Sequence, residues 1–139
     1  MALIKFFTEG VPFKLAHPRK TANWIKKIIK KEKSVLVAVN YIFCSDEHLR
    51  QTNIQYLKHK TYTDIITFDY SDSPISIEGD IFISIERVKD NSVKFKRPFD
   101  EELHRVMIHG VLHLLGFTDK TSKEKTLIHK KEDACLSLR

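Results

Sequence analysis

Apolar and polar residues recur along this 139-residue chain in two periods, which predict strands and helices in alternation. Short runs rich in β-branched and aromatic residues predict four strands, at residues 4–7, 35–43, 64–70 and 80–85. The segment 71–79 between the last two runs is rich in turn-forming residues and contains Pro74, so it is predicted to be a loop.

A period of 3.6 predicts five helices, at residues 21–31, 46–57, 85–95, 100–115 and 122–135. Ser45 and Asp100 are the predicted N-caps of the second and fourth helices, and Gly116 is suited to end the fourth. Strands come first with helices between them, and helices dominate the end of the chain. This order predicts one α+β domain over residues 1–139, a mixed sheet of about four strands covered by helices.

Composition supports a globular protein, since 42% of residues are apolar and 30% are charged. No apolar run approaches the length that a bilayer needs, and the first residues lack the apolar region of a secretion signal. We therefore expect a cytoplasmic protein with no membrane partner. Cys44 and Cys135 are too few for a disulfide framework, which also favours a reducing compartment.

The formal net charge of +6 favours polyanionic partners, nucleic acid first. Residues 19–33 carry seven basic side chains against one acid, and the predicted first helix displays its lysines opposite its apolar face. Lys26, Lys27 and Lys30 are therefore candidate contacts to the phosphates of a nucleic acid. A charged helix face is also commonly just solvated, and that interpretation stays open.

The predicted central helix carries the strongest chemical signal, in the stretch His109-Gly-Val-Leu-His113-Leu-Leu-Gly116-Phe-Thr-Asp119. Residues four apart share one helix face, so His109 and His113 can point at one ion. If Gly116 ends the helix, Asp119 can return as a third ligand. Three protein ligands leave one position open, which is typical of catalytic zinc sites.

Chance alone often places two histidines four residues apart. This helix is otherwise largely apolar, however, and buried imidazoles without partners cost about 1–3 kcal/mol each, so a shared metal ion is the better interpretation. His104 lies on another face of the helix and is expected to be a structural residue or to support the ligands indirectly.

The spacing also resembles that of zinc proteases, in which a glutamate follows the first histidine and activates water. Gly110 occupies that position here. A metalloprotease is therefore disfavoured, although a base from elsewhere in the fold would restore the possibility.

Three stretches resemble the YbeY family of bacterial metal-dependent endoribonucleases, which have a zincin-like α/β fold and act in ribosomal RNA maturation. His109 to Gly116 is similar to the family signature H-G-x-L-H-L-x-G. Two further similarities lie upstream in the same order, Asn53-Ile54-Gln55-Tyr56 followed by Thr63-Asp64-Ile65-Ile66-Thr67-Phe68, and Gly79-Asp80-Ile81. The resemblance implies that His109 and His113 are catalytic metal ligands. It also implies single-stranded RNA as substrate, in particular small-subunit rRNA, and the ribosome or its proteins as partners.

Two residues depart from the family pattern. Asp119 stands where the family usually has a third histidine; a carboxylate is a harder ligand, so zinc is expected but another divalent transition metal stays open. Leu57 replaces an arginine, whose contact to phosphate is expected to be lost or to have moved to Lys58 or Lys60.

Asp64 and Asp80 open predicted strands and could orient a ligand imidazole, as carboxylates behind metal-bound histidines commonly do. Capping of a strand end or turn is the equally plausible alternative.

The sequence thus predicts a metal-dependent, single-strand-selective endoribonuclease of rRNA maturation and ribosome quality control. Either metal-activated water or the RNA 2′-OH would attack the phosphodiester. Two alternatives stay open: a metalloprotease without the usual glutamate, and a non-catalytic RNA- or ribosome-binding assembly factor whose metal is structural.

Overall fold

The computed structural model describes residues 3–57 and 63–139 and confirms the α+β class. The order of its elements is β1 (Ile4–Glu9), α1 (Pro18–Lys31), β2 (Val35–Cys44), α2 (Asp46–Thr52), a π-helical turn (Asn53–Leu57), β3 (Ile65–Asp69), β4 (Ser76–Ser84), α3 (Ile85–Lys94), α4 (Phe99–Leu114) and α5 (Ser122–Leu136).

The four strands form one mixed sheet in the order β1-β2-β4-β3. β2 pairs in parallel with both β1 and β4, whereas β3 pairs antiparallel with β4. A parallel pair needs a long crossover, which α1 supplies between β1 and β2. Because it combines two parallel pairs with one antiparallel pair, the sheet is mixed, as the pattern of strands and helices predicts.

One face of the sheet packs against α1 and α4 to form the main core. Alternate residues of β2 and β4 point toward these helices, since side chains alternate between faces along a strand. These inward residues are buried and are Val39, Tyr41, Phe43, Ile77, Ile81 and Ile83. The Tyr41 hydroxyl donates a hydrogen bond to the Met107 carbonyl at 2.9 Å. This buried bond fixes α4, the helix that carries the two histidines, across the sheet.

The prediction of a loop over residues 71–79 is wrong for its second half, because β4 begins at Ser76 rather than Asp80. Ser76 and Ile77 pair with Val35 and Leu36 at the start of β2. Strand pairing with a distant segment overrides the local preference for a turn. The turn itself is confined to the residues around Pro74.

Three helix boundaries also differ from the predicted ones. α4 begins at Phe99 with Pro98 as its N-cap, so the predicted cap Asp100 lies in the first turn, where its charge still suits the helix dipole. α1 begins at Pro18, three residues early, because proline is well tolerated in a first turn. The second helix ends at Thr52 and continues as a π-helical turn. Its predicted cap Ser45 is confirmed, since its hydroxyl accepts the His48 amide hydrogen.

Both cysteines are free and buried, as expected for small core residues. Within residues 3–57 and 63–139, no helix combines the length and the apolar character needed to cross a membrane.

Candidate metal centre

The last turns of α4 and the loop after it bring His109, His113 and Asp119 together. The two histidines lie one turn apart on the same face, and Gly116 ends the helix with a φ of 105° that side-chain-bearing residues rarely adopt. The loop then returns Asp119 toward α4. The three potential ligand atoms lie within 4.8 Å of one another.

These three atoms form a compact triangle. The Nε2 atoms of His109 and His113 are 2.8 Å apart, and Asp119 Oδ2 is 3.4 Å from the first and 3.5 Å from the second. Ligand atoms in a tetrahedral zinc site with bonds of about 2.0–2.1 Å are separated by about 3.3 Å. Two imidazoles and one carboxylate at these separations therefore fit a zinc ion or a similar divalent transition metal ion.

A cleft of about 410 Å³ opens beside His109 and Asp119. Its walls come from β3, the end of α3, α4 and α5, and among its lining residues are Asp64, Arg97, Arg105 and His129. His109 and Asp119 thus face a space that a ligand can enter, as a catalytic centre requires.

Glu132 on α5 orients His109 from behind. Its Oε2 lies 2.5 Å from His109 Nδ1, and because a carboxylate only accepts, Nδ1 carries the proton and Nε2 is directed at the cluster. Glu132 is buried and is itself held by Arg105, whose Nη1 donates to Oε1 at 3.1 Å. This arrangement is the carboxylate–histidine pair that supports many metal sites.

Sequence reasoning missed Glu132. The signal that could have found it is the buried stripe of α5, where Ile128, Cys135 and Leu136 share one face with this single acid. A carboxylate in an apolar helical stripe needs a buried partner. The partner itself, 23 residues earlier, is identified only by the packing of α5 on α4.

The surroundings shift the pKa values of the two histidines in opposite directions. Burial disfavours protonation of His109, but the hydrogen bond to Glu132 and the charges of Glu132, Asp119 and Asp64 together raise its pKa. Burial and the neighbouring His109 lower the pKa of His113. The acidic surroundings thus favour one positive charge at the pair, which is the environment that a cation requires.

Gly110 is a packing residue between α4 and the sheet. A Cβ atom there would come within 3.0 Å of the Ile65 and Ile81 side chains. The position at which a zinc protease carries its glutamate therefore points into the contact with β3 and β4, away from the metal ligands.

The two aspartates predicted to support the ligands lie in different places, and only Asp64 is near His109. Asp64 lines the cleft beside His109, where burial raises its pKa and His109 opposes that rise. Its carboxylate lies 3.5 Å from Asn91 Nδ2 and not in hydrogen-bonding contact with a ligand histidine.

The prediction for Asp80 is wrong. Its neighbours Gly79 and Ile81 face α4, so the alternation of side chains places Asp80 on the opposite face of the sheet. There it accepts hydrogen bonds from Asn40 Nδ2 at 3.0 Å and from the Tyr70 hydroxyl at 3.2 Å.

The predicted RNA-contacting lysines are only partly described. Lys26, Lys27 and Lys30 are exposed on α1, as the helical pattern indicates. Lys58 and Lys60 lie outside the described residues. His104 lies away from the metal ligands, with its ring centroid 5.4 Å from that of Trp24.

The chain is similar to known proteins over nearly its whole length. The family described as Endoribonuclease YbeY matches residues 10–138. Among curated relatives, the endoribonuclease YbeY of Cytophaga hutchinsonii is 53% identical, with 98% of this chain and 95% of the relative covered. That of Amoebophilus asiaticus is 49% identical, covering 94% and 89%.

A solved structure shares the fold. The solution structure of TM1509 from Thermotoga maritima superimposes with a TM-score of 0.64 at 30% identity, covering 97% of this chain and 87% of that one. The matches extend over nearly the whole chain and include the cluster on α4. The chain therefore belongs to the YbeY family of endoribonucleases.

Proposed function

We propose that this protein is a metal-dependent endoribonuclease that cuts single-stranded RNA, with small-subunit rRNA as its substrate in rRNA maturation and ribosome quality control. The observation that carries the proposal is the convergence of His109, His113 and Asp119 within 4.8 Å, in a chain of the YbeY family. The cleft beside this cluster gives an RNA phosphate room to approach.

A divalent ion held by His109, His113 and Asp119 would supply Lewis acidity toward a phosphoryl oxygen and lower the pKa of water. We propose zinc; because Asp119 is a hard, anionic ligand, manganese or another divalent transition metal is the alternative. Glu132 keeps the Nε2 lone pair of His109 directed at the cluster. Asp119, with its side chain 40% exposed, lies at the open side where substrate enters.

The attacking group is either water or the RNA 2′-OH. Attack by the neighbouring 2′-OH leaves a 2′,3′-cyclic phosphate, whereas attack by water gives a linear phosphate. Analysis of the product ends by mass spectrometry separates the two.

A protease mechanism is disfavoured because Gly110 stands where zinc proteases carry their glutamate. Gly110 is packed against the sheet and offers no general base. A non-catalytic RNA- or ribosome-binding factor with a structural metal is the remaining alternative. Structural zinc sites usually have four protein ligands, and the cluster found among the described residues has three.

The test is cleavage of a labelled single-stranded RNA by chelated protein and by protein restored with zinc or manganese. The His113→Ala variant is compared with His48→Ala, a matched loss of a histidine on α2, away from the cluster. We expect metal-restored cleavage by the wild type and by His48→Ala, and none by His113→Ala. A duplex of the same sequence should be cut more slowly.

Equal cleavage by His113→Ala would indicate a contaminating ribonuclease. Absence of cleavage by metal-loaded wild type, with RNA still bound, would favour the non-catalytic binding factor.

A further inference from the structure

A second and larger cleft lies where the start of α4 meets α1 and the end of α5. Its volume is about 670 Å³, against about 410 Å³ for the cleft at the metal centre. Buried apolar side chains form its floor, namely Leu15, Trp24, Leu103 and Leu136. The family resemblance and the metal chemistry leave this cleft without a role.

Basic side chains line the same cleft as the apolar floor. Lys14, Lys20, Lys27 and Arg139 line the cleft and are exposed, whereas Asp100 is the one acidic side chain among its described lining residues. A buried apolar floor with exposed cations in the same cleft fits a ligand with an apolar part and an anionic part. Nucleotides have this chemistry, since bases stack on aromatic side chains while phosphates contact lysine and arginine.

The rings in the cleft are held in place. The His104 and Trp24 ring centroids are 5.4 Å apart, and the Trp24 indole donates a hydrogen bond to the Cys135 carbonyl at 2.9 Å. Phe13 and Phe99 meet edge to face at 6.1 Å. Rings fixed in this way lose little conformational entropy when a base packs against them.

His104 lies among the charged side chains of the cleft. Burial is the main cause that lowers its pKa; the charges of Arg139 and Lys20 lower it further, and the charge of Asp100 opposes them. Its Nδ1 lies 2.9 Å from Arg139 Nη1, so the neutral ring accepts a hydrogen bond from the guanidinium. A neutral imidazole beside these cations adds no positive charge of its own to the cleft.

We propose that this cleft binds an unpaired nucleotide of the RNA substrate, with the base against the apolar floor and a phosphate between Lys20 and Lys27. The inference rests on the proposed function and deepens it, because it assigns a subsite for RNA away from the metal centre. Leu103 in the cleft and His109 in the centre are six residues apart on α4, about 9 Å along its axis. Six residues rotate an α-helix by about 240°, so the two residues face different sides of α4, and a strand that reaches both sites has to pass around the helix.

Trp24 is the only tryptophan of the chain, so its fluorescence reports on this cleft alone. The experiment titrates full-length protein, with metal chelated to prevent cleavage, with a single-stranded ten-adenosine RNA. Fluorescence anisotropy of the labelled RNA measures binding in parallel. Lys20→Glu/Lys27→Glu is compared with Arg19→Glu/Lys31→Glu, whose side chains lie on the same helix but do not line the cleft. Both double variants change the net charge equally and alter exposed positions.

We expect RNA to change Trp24 fluorescence with the same dissociation constant that anisotropy gives. Lys20→Glu/Lys27→Glu should weaken binding about tenfold or more and reduce the salt dependence by about one unit of slope per lysine. The control should weaken binding about twofold or less, through the general field alone.

Any of three binding results would overturn the inference: saturation by RNA without a change in Trp24 fluorescence, equal loss of affinity in the two double variants, or a fluorescence response to poly-glutamate but not to RNA. The last would assign the cleft to an acidic protein segment. Failure of the proposed function is a separate result, because wild type that does not cut RNA can still give the Trp24 response. Normal cleavage with an unchanged KM in Lys20→Glu/Lys27→Glu would contradict only the subsite.

Discussion

At the scale of single residues, the most specific prediction concerns Glu132, whose carboxylate supports His109 from behind. Glu132 is buried, and it contacts both His109 and Arg105. It therefore fixes which nitrogen of His109 faces the cluster and balances the charge of the guanidinium. The residues that would hold the metal and the residue that orients one of them come from different helices.

We expect Glu132→Gln to weaken metal binding about 10- to 100-fold, as losses of such supporting groups typically do. The amide keeps the size of the side chain but removes the charge that favours the protonated Nδ1. Zinc affinity is measured by competition with a chromophoric chelator. Asp133→Asn is the matched control, since Asp133 also contacts Arg105 but is exposed and does not contact His109. Equal affinities in the two variants would remove Glu132 from the site.

The pKa of His104 gives a prediction about pH. In the folded protein burial lowers this pKa below the value of about 6.5 expected for the unfolded chain. Below that pH the unfolded state binds more protons, so the contribution of His104 to stability falls as the pH falls through this range. The free energy of unfolding of the wild type, measured from pH 8 to pH 5, should therefore decline more steeply than that of His104→Asn. Parallel curves would contradict the lowered pKa.

At the scale of elements, the contact of α4 with β3 and β4 explains why the helix carries glycine between its ligand histidines. Ile65 and Ile81 occupy the space beside Gly110, and Tyr41 ties the same helix to the sheet through the Met107 carbonyl. Close approach of helix and sheet places His109 and His113 at the edge of the core, where each side chain is about one quarter exposed.

Gly110→Glu should consequently destabilise the fold without creating a protease. The added side chain would be forced into the helix–sheet contact and would bring an unpaired charge into the core, at a cost of about 3 kcal/mol or more. Gly110→Ala should cost less, because only a methyl group has to be accommodated and helix propensity improves by about 1 kcal/mol. Urea unfolding gives both values. A stable Gly110→Glu variant that cuts casein would show that the glutamate reaches the metal centre.

At the scale of the whole molecule, the candidate metal centre draws its residues from α4, the loop after it and α5. α4 carries two of its ligands, the following loop a third, and α5 the supporting Glu132. An ion bound to this arrangement binds only the folded state, so it should stabilise the entire domain.

We expect chelation to lower the melting temperature and zinc to restore it. At a free zinc concentration 100-fold above the dissociation constant, the gain is about 2.7 kcal/mol. Differential scanning calorimetry of wild type and His113→Ala measures the effect, and the variant should not respond to zinc. An equal response of the two proteins would place the stabilising ion elsewhere.

Much of this molecule follows from local sequence pattern. The apolar stripe of α1, the alternation in β2 and the position of Gly116 are set by residues within a few places of one another. The ligand trio is equally local, since His109 and His113 are one helical turn apart and Asp119 follows a helix stop. These features depend on the geometry of one segment, and short-range periodicity determines that geometry.

Only the tertiary structure decided the rest. The start of β4 at Ser76 depends on pairing with β2, and the location of Asp80 depends on which face of the sheet α4 covers. Likewise, Glu132 meets His109, and the cleft around Trp24 forms, only because α5 and α1 dock on particular sides of α4. Contacts between segments distant in sequence depend on how whole elements pack together, and no periodicity within one segment records that packing.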